Sequence, residues 1–288
     1  MVRCKTEMKK RVITSVAVIL GMLLLAIFSD YIVYPIGMAV LSLIAVFEVL
    51  RVIGVQKNLF VSLPAYIIAS ALPVCAFFAT AENVTGLLLI IAAVMFVYLL
   101  WLFGVSVFSR GSIPFSRISE VFAAVTYVAV SFTSLSLIRY LDPALGIYFL
   151  VLVFLIAWST DVFAFAVGML FGKHKLIPEV SPKKSVEGAI GGVAFCALLC
   201  FVYGLGADML IPDVRVNYLT LVLFGLILSV VSQLGDLTAS LIKREYGVKD
   251  YGTIFPGHGG VMDRFDSVLA VSTVLLILCL VFPPFAIA

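Results

Sequence analysis

A polar island near the C-terminal end of the chain, Ser240 to Asp266 (SLIKREYGVKDYGTIFPGHGGVMDRFD), separates two long apolar stretches. It holds Lys243, Arg244, Lys249 and Arg264 beside Glu245, Asp250, Asp263, Asp266, His258 and a Pro-Gly-His-Gly-Gly turn. Carboxylates suit a hard cation such as Mg²⁺, which usually takes one or two of them together with substrate phosphates. Lysines and arginines suit the phosphates themselves. Gly257, Gly259 and Gly260 permit a tight turn with exposed N–H groups, a candidate anion cradle. His258 fits phosphate donation, acid–base work or turn stabilisation. A zinc site is disfavoured, because His174 is the other histidine and no cysteine clusters with either. Together the parts fit phosphoryl or nucleotidyl transfer, where a protein contributes mainly positioning and electrostatic stabilisation.

Two more acids stand inside apolar runs: Asp161, with Ser159 and Thr160 before it, and Asp236, with Ser232, Gln233, Thr238 and Ser240 around it. An ionisable group within a membrane span costs roughly 2.5–3.5 kcal/mol on insertion scales, which makes each a functional candidate. A structural ion pair between spans is the plainer alternative for both. Asp236, Ser240 and Lys243 are spaced i, i+4, i+7 and share one helical face leading towards the island. Asp263 and Asp266 are spaced i, i+3 where the last apolar run begins. The dipole of a helix N-terminus also favours carboxylates there, without any catalysis.

A second polar loop reads Gly172-Lys173-His174-Lys175, then Ser181-Pro182-Lys183-Lys184-Ser185-Val186-Glu187-Gly188. Its lysines would serve equally as topogenic charge at anionic headgroups. The Ser181–Ser185 turn, however, leads straight into Gly188, Gly191 and Gly192, where small residues let a neighbouring backbone or ligand come close. That favours a phosphate-facing role for Ser181, Lys183 and Lys184.

The elements that must hold these residues are membrane helices. The chain has 288 residues, of which 63% are hydrophobic and 12% charged, with a mean hydropathy of +1.22. Soluble domains carry about 25% charged residues. Apolar runs long enough to cross a bilayer fall near 12–29, 32–50, 59–80, 85–108, 121–138, 145–170, 188–206, 217–240 and 265–283. The expected fold is therefore all-α, a polytopic bundle of about nine transmembrane helices. The first run reads as a retained helix, not a cleaved signal, since no small-x-small site follows it.

Lys and Arg are sharply partitioned between the connections. Five precede the first run, two follow the second, two the fourth, four the sixth and four the eighth, leaving only Arg139 and Arg215 elsewhere. By the positive-inside rule this places the N-terminus and both polar loops in the cytoplasm. The mixed stretch Phe115–Phe122 is expected along the cytoplasmic interface. The whole chain, 1–288, reads as one integral membrane unit. Its catalytic helices and cytoplasmic loops are expected in 121–288, with N-terminal helices in 1–120. The five cysteines are scattered and imply no disulfide framework. Cys196 and Cys200 share a helix face, where packing is their plain role.

The stretch from Ser240 through Lys243-Arg244, Lys249-Asp250, Gly252, Phe255-Pro256, His258-Gly259-Gly260-Val261 and Asp263-Arg264-Phe265-Asp266 resembles the signature of the phosphatidate cytidylyltransferase (CDP-diacylglycerol synthase) family. The region from Asp161 to Gly188 resembles the second conserved region of that family, with two departures. Met169 stands where relatives often carry a basic residue, and Val186 replaces a common aromatic. The resemblance implies the reaction CTP + phosphatidic acid → CDP-diacylglycerol + pyrophosphate with Mg²⁺ in phospholipid biosynthesis. It maps a two-cation centre onto Asp236 and Asp263, with K⁺ as the second, monovalent cation. By the same resemblance Lys243, Arg264 and Asp266 belong to the catalytic cleft. Ser181, Lys183, Lys184, Ser240, Arg244, Lys249, His258, Gly259 and Gly260 are candidates for contacting substrate.

The expected partners are CTP, phosphatidic acid and the bilayer of the cell membrane. No nucleic acid is expected, and a homodimer is left open. The rival from another class is an ion-coupled transporter using the intramembrane aspartates. Against it, the polar residues gather towards one membrane face and no paired broken helices are evident. A CDP-alcohol phosphatidyltransferase would show Asp-Gly-x2-Ala-Arg followed by paired aspartates, which this chain lacks. A non-catalytic scaffold would leave the aspartates and lysines unexplained.

Overall fold

Eight long apolar helices dominate the described residues of the computed structural model, which are 21, 24–80, 82–210, 214–255, 257 and 259–287. They are α1 (Val33–Ile53), α2 (Leu59–Cys75), α3 (Val84–Phe108), α4 (Phe115–Tyr140), α5 (Gly146–Phe171), α6 (Val186–Leu210), α7 (Tyr218–Glu245) and α8 (Met262–Val281). Each is long and apolar enough to cross a bilayer, α2 together with the 3₁₀ turn that extends it to Phe78. The protein is an all-α polytopic membrane protein. Each helix covers one of the expected runs from 32–50 onward, whereas most of the run 12–29 lies outside the described residues.

The stretch Phe115–Phe122 forms the first turns of α4. One local expectation changes. The Ser181–Ser185 turn is a strand: β1 (Lys175–Ile177) pairs antiparallel with β2 (Ser181–Ser185). A hairpin satisfies the backbone N–H and C=O groups of this polar connection. A second small sheet pairs β3 (Val214–Val216) with β4 (Phe285–Ile287).

Contacts divide the chain into two compact units. The first comprises Met1–Ala144 and Tyr246–Phe265. In it α4 is the most buried helix, with almost every residue from Val128 to Arg139 inside. α1 ends on Gly54 in the left-handed conformation (φ 86°), which lets the chain reverse after the last turn. α2 contains Pro64, whose missing N–H deprives the Phe60 carbonyl of its helical partner. The Trp101 indole N–H from α3 donates to that carbonyl instead, at 2.8 Å.

The second unit comprises Leu145–Glu245 and Asp266–Ala288. Here α5 and α6 approach through glycine. A Cβ on Gly188 would lie 2.5 Å from the Ala164 carbonyl, and one on Gly192 would lie 3.0 Å from the Thr160 carbonyl. These two glycines of α6 thus admit a neighbouring backbone. In lipid, where burying apolar surface gains little, such close packing is what holds helices together. Gly235 on α7 does the same against α8, where a Cβ would sit 2.7 Å from Ala270 Cβ and 2.8 Å from the Asp266 carbonyl oxygen.

Candidate active site

In the second unit three helices and one strand bring acids and lysines together. Asp161 lies on α5, Asp236 on α7 and Asp266 on the first turns of α8. Lys184 on β2 pairs its ammonium with Asp236 Oδ2. Asp161 accepts a hydrogen bond from Ser267 Oγ at 3.1 Å and lies within electrostatic reach of Asp236 and Lys184. Asp266 is in reach of Asp236, Lys243 and Asp161. A cavity of about 410 Å³ opens beside them, lined by Asp161, Asp236, Lys183, Lys184, Gln233 and Met169 among others. Its size falls in the range of about 300–1,000 Å³ usual for small-molecule sites.

The hairpin that delivers the lysines is held at its base. The Glu187 carboxylate accepts from the backbone N–H groups of Lys173 (3.1 Å) and His174 (3.2 Å) and contacts His174 Nδ1 at 2.6 Å. Ser185 Oγ accepts from Gly188 N–H at 3.2 Å and is wedged against Gly168 and Gly172. Because successive residues of a strand point to opposite faces, Lys183 is exposed while Lys184 is half-buried against Asp236.

The donor set suits a hard cation. Three carboxylates share a region with two lysines, and the Lys184 ammonium already stands as a cation against Asp236. Among the described residues no three His, Cys, Asp or Glu side chains close into a metal cage.

In the first unit, carboxylates are used differently. Asp263 is buried, and its Oδ2 accepts from the backbone N–H groups of Tyr251 (2.7 Å), Gly260 (2.9 Å) and Gly252 (3.4 Å). Glu48, fully buried on α1, takes the next two N–H groups: Val261 at 3.1 Å and Met262 at 3.0 Å. It therefore caps the N-terminus of α8 from 213 residues away. Its carboxylate packs where a Cβ on Gly252 or Gly260 would stand. Arg51, one turn further along α1, donates to the Tyr251 carbonyl at 2.5 Å. Gly259 adopts φ +82°, and a Cβ there would lie 2.6 Å from Asp263 Oδ2.

The anion cradle expected around the glycine turn is thus partly filled from within. The N–H groups of Gly260, Val261 and Met262 point at the protein's own carboxylates. Arg264 and Lys249 of the same unit are exposed. His258 lies outside the described residues. Of the other expected site residues, Ser181, Lys183, Lys184, Asp236, Ser240, Lys243, Arg244 and Asp266 fall in the second unit, and Lys249, Gly259, Gly260, Asp263 and Arg264 in the first. Glu48 has no place among the residues expected from the sequence, although an acid near the end of an apolar run (VFEVLRV) is itself a costly feature that asks for a partner.

The fold and these clusters define a class: a multi-pass helical membrane protein with acids and lysines gathered around a cavity. Comparison with known proteins narrows it. The sequence pattern of the cytidylyltransferase family matches residues 9–282. The chain is 35% identical over 281 residues to the phosphatidate cytidylyltransferase of Bacillus subtilis (strain 168), covering 96% of this chain and 99% of that protein. It is 39% identical over 173 residues to the phosphatidate cytidylyltransferase of Staphylococcus haemolyticus (strain JCSC1435), covering 60% of this chain and 63% of that protein. With the protein of that name from Staphylococcus aureus (strain COL) the identity is 40% over 173 residues, covering 60% of this chain and 63% of that protein. The chain belongs to the cytidylyltransferase family.

Proposed function

We propose that the protein transfers CMP from CTP to phosphatidic acid, giving CDP-diacylglycerol and pyrophosphate, at a site facing the cytoplasm of the cell membrane. The observation that carries this reading is the cavity lined by Asp161, Asp236, Lys183 and Lys184 in a chain of this family. The charge bias of the loops supports the cytoplasmic orientation, since the nucleotide must arrive from water on that side.

In this reading a phosphate oxygen of phosphatidic acid attacks the α-phosphorus of CTP, the bond to the β-phosphate oxygen breaks, and pyrophosphate leaves. A phosphate monoester is already anionic and nucleophilic near neutral pH, so no strong general base is required. Lys184 and Lys183, both in the lining of the cavity, hold phosphates of the incoming nucleotide, the Lys184 ammonium exchanging Asp236 for a phosphate. Lys243, Arg244, Lys249 and Arg264 offer further positive charge, Ser181 and Ser240 hydroxyl contacts, and Asp266 shapes the field around Lys243. His258, Gly259 and Gly260 position the loop before Asp263. Asp236 and Asp263 are each proposed as a ligand of Mg²⁺, with K⁺ as the candidate second cation. Bound Mg²⁺ supplies neutralisation of the charge that develops on the leaving pyrophosphate.

The test is pyrophosphate release by the purified protein in detergent, given CTP, phosphatidic acid and Mg²⁺. Asp236→Asn and Asp263→Asn should each lower turnover by about a thousandfold or more, since each removes a full charge used in the transition state. Both variants should keep the wild-type gel-filtration profile. Full activity in both would rule out the metal-ligand assignment, and turnover with other nucleotides but not CTP would rule out the substrate.

A further inference from the structure

The C-terminal end of α3 stops packing where its sequence pattern says it should continue. Its buried residues are Val84, Ile91, Met95, Tyr98 and Leu102, a stripe with heptad-like spacing. The next positions of that stripe, Val105 and Ser109, face a cavity of about 550 Å³ within the first unit. Gly104 opens its wall further: a Cβ there would meet nothing within 4 Å. Phe60, Trp101 and Phe108 form apolar sides, and Asn58 joins Ser109 among the polar lining groups.

The end of this cavity is built, not loose. Ser106 Oγ donates to the Ile113 carbonyl at 2.7 Å, and Gly111 N–H donates to the Ser106 carbonyl at 3.0 Å. Arg110 (φ 53°) and Gly111 (φ 75°) turn the chain back through two successive left-handed residues. Across from them the Trp101–Phe60 hydrogen bond ties α3 to the start of α2. The exposed cations Lys57 and Arg110 adjoin the lining residues Asn58 and Ser109 in the chain. An apolar cleft between membrane helices, with hydroxyl and amide groups in its lining and cations adjoining it, matches the chemistry of a phospholipid. The acyl chain fills the cleft, and the headgroup phosphate meets the cations.

We propose that this cavity is a binding site for an anionic glycerophospholipid of the surrounding bilayer. One acyl chain lies along Gly104 and Val105, and the phosphate sits between Lys57 and Arg110. The site belongs to the first unit, and none of its residues has a role in the proposed transfer reaction. Its occupant completes the packing stripe of α3 and fixes the α3–α4 connection.

Native mass spectrometry of the purified full chain tests it, with dioleoyl phosphatidylglycerol, phosphatidylcholine and phosphatidic acid added separately. The wild type should retain phosphatidylglycerol about tenfold or more better than phosphatidylcholine, the difference expected from two basic groups near a lipid phosphate. Gly104→Phe, which fills the cavity, should remove that adduct. Lys57→Ala combined with Arg110→Ala should leave an adduct that no longer distinguishes the two headgroups. Val105→Trp fills the same space from the neighbouring position and replaces Gly104→Phe if that variant fails to elute as wild type. Phosphatidic acid should add one further adduct, from the transfer site, which the cavity-filling variants keep. Equal phosphatidylglycerol retention by wild type and both filled variants would overturn the site. Equal retention of both headgroups by the wild type would overturn its anionic selectivity.

Discussion

Two groups of acids, one buried and one opening on a cavity, serve opposite ends in this protein. In the first unit, Glu48 and Asp263 bind five backbone N–H groups between Tyr251 and Met262. In the second, Asp161, Asp236 and Asp266 face Lys184, Lys243 and a hydroxyl. Backbone amides cannot leave, so the first set fixes a loop. An ammonium on a four-carbon stem can move, so the second set can exchange its partner for a phosphate or a cation. The comparison separates acids whose partners are fixed backbone amides from acids whose partner is a mobile ammonium, and Asp263, in the first group, is held in place by those amides for the metal role proposed for it.

Substitutions that break this contrast should differ in kind as well as size. The largest effect after the aspartates themselves is expected for Lys184→Met, which leaves Asp236 without its ammonium. Turnover should fall by roughly a hundredfold, the scale of losing one charged transition-state contact. Adding it to Asp236→Asn should cost little more, because paired residues act non-additively. Steady-state kinetics of the single and double variants measure this. Glu48→Ala should act through stability. Two helix-terminal N–H groups lose their acceptor, at about 1–3 kcal/mol each when buried. The thermal midpoint should drop, and hydrogen exchange of peptides covering 251–262 should quicken. Glu48→Gln keeps one acceptor oxygen and should recover part of both. Unchanged exchange in Glu48→Ala would erase the distinction between the two groups. The smallest effect is expected for Lys183→Ala. This exposed residue at the same cavity should raise KM for CTP a few-fold, about the 0–1 kcal/mol of an exposed charge contact, with kcat almost unchanged.

Much of the architecture was legible in the sequence because membrane spans are written as composition. A bilayer demands about twenty apolar residues per helix whatever the tertiary packing, so runs such as 85–108 and 145–170 coincide closely with α3 and α5. Asp161 and Asp236 were legible for the converse reason, as charges where hydrocarbon is expected. The roles of Glu48 and Ser181–Ser185 were not. Nothing near Glu48 in the chain announces that its partners are Val261 and Met262, because that pairing exists only once α1 and the start of α8 are packed. The Ser-Pro-Lys-Lys-Ser segment has turn-like composition, and its strand forms only because Lys175–Ile177 lies across from it. Glycines 188 and 192 were ambiguous between admitting a ligand and admitting a helix. The positions of the Ala164 and Thr160 carbonyls show that they admit a helix.

The most direct test of the proposed reaction follows the label from CTP carrying ³²P at the α-position, in mixed micelles of phosphatidic acid, Mg²⁺ and the purified protein. Transfer of CMP to the lipid predicts that the label enters the organic phase as CDP-diacylglycerol, with one unlabelled pyrophosphate released for each lipid formed, and that Asp236→Asn abolishes both. Label that stays in the aqueous phase while wild-type protein, CTP and phosphatidic acid are all present would contradict it.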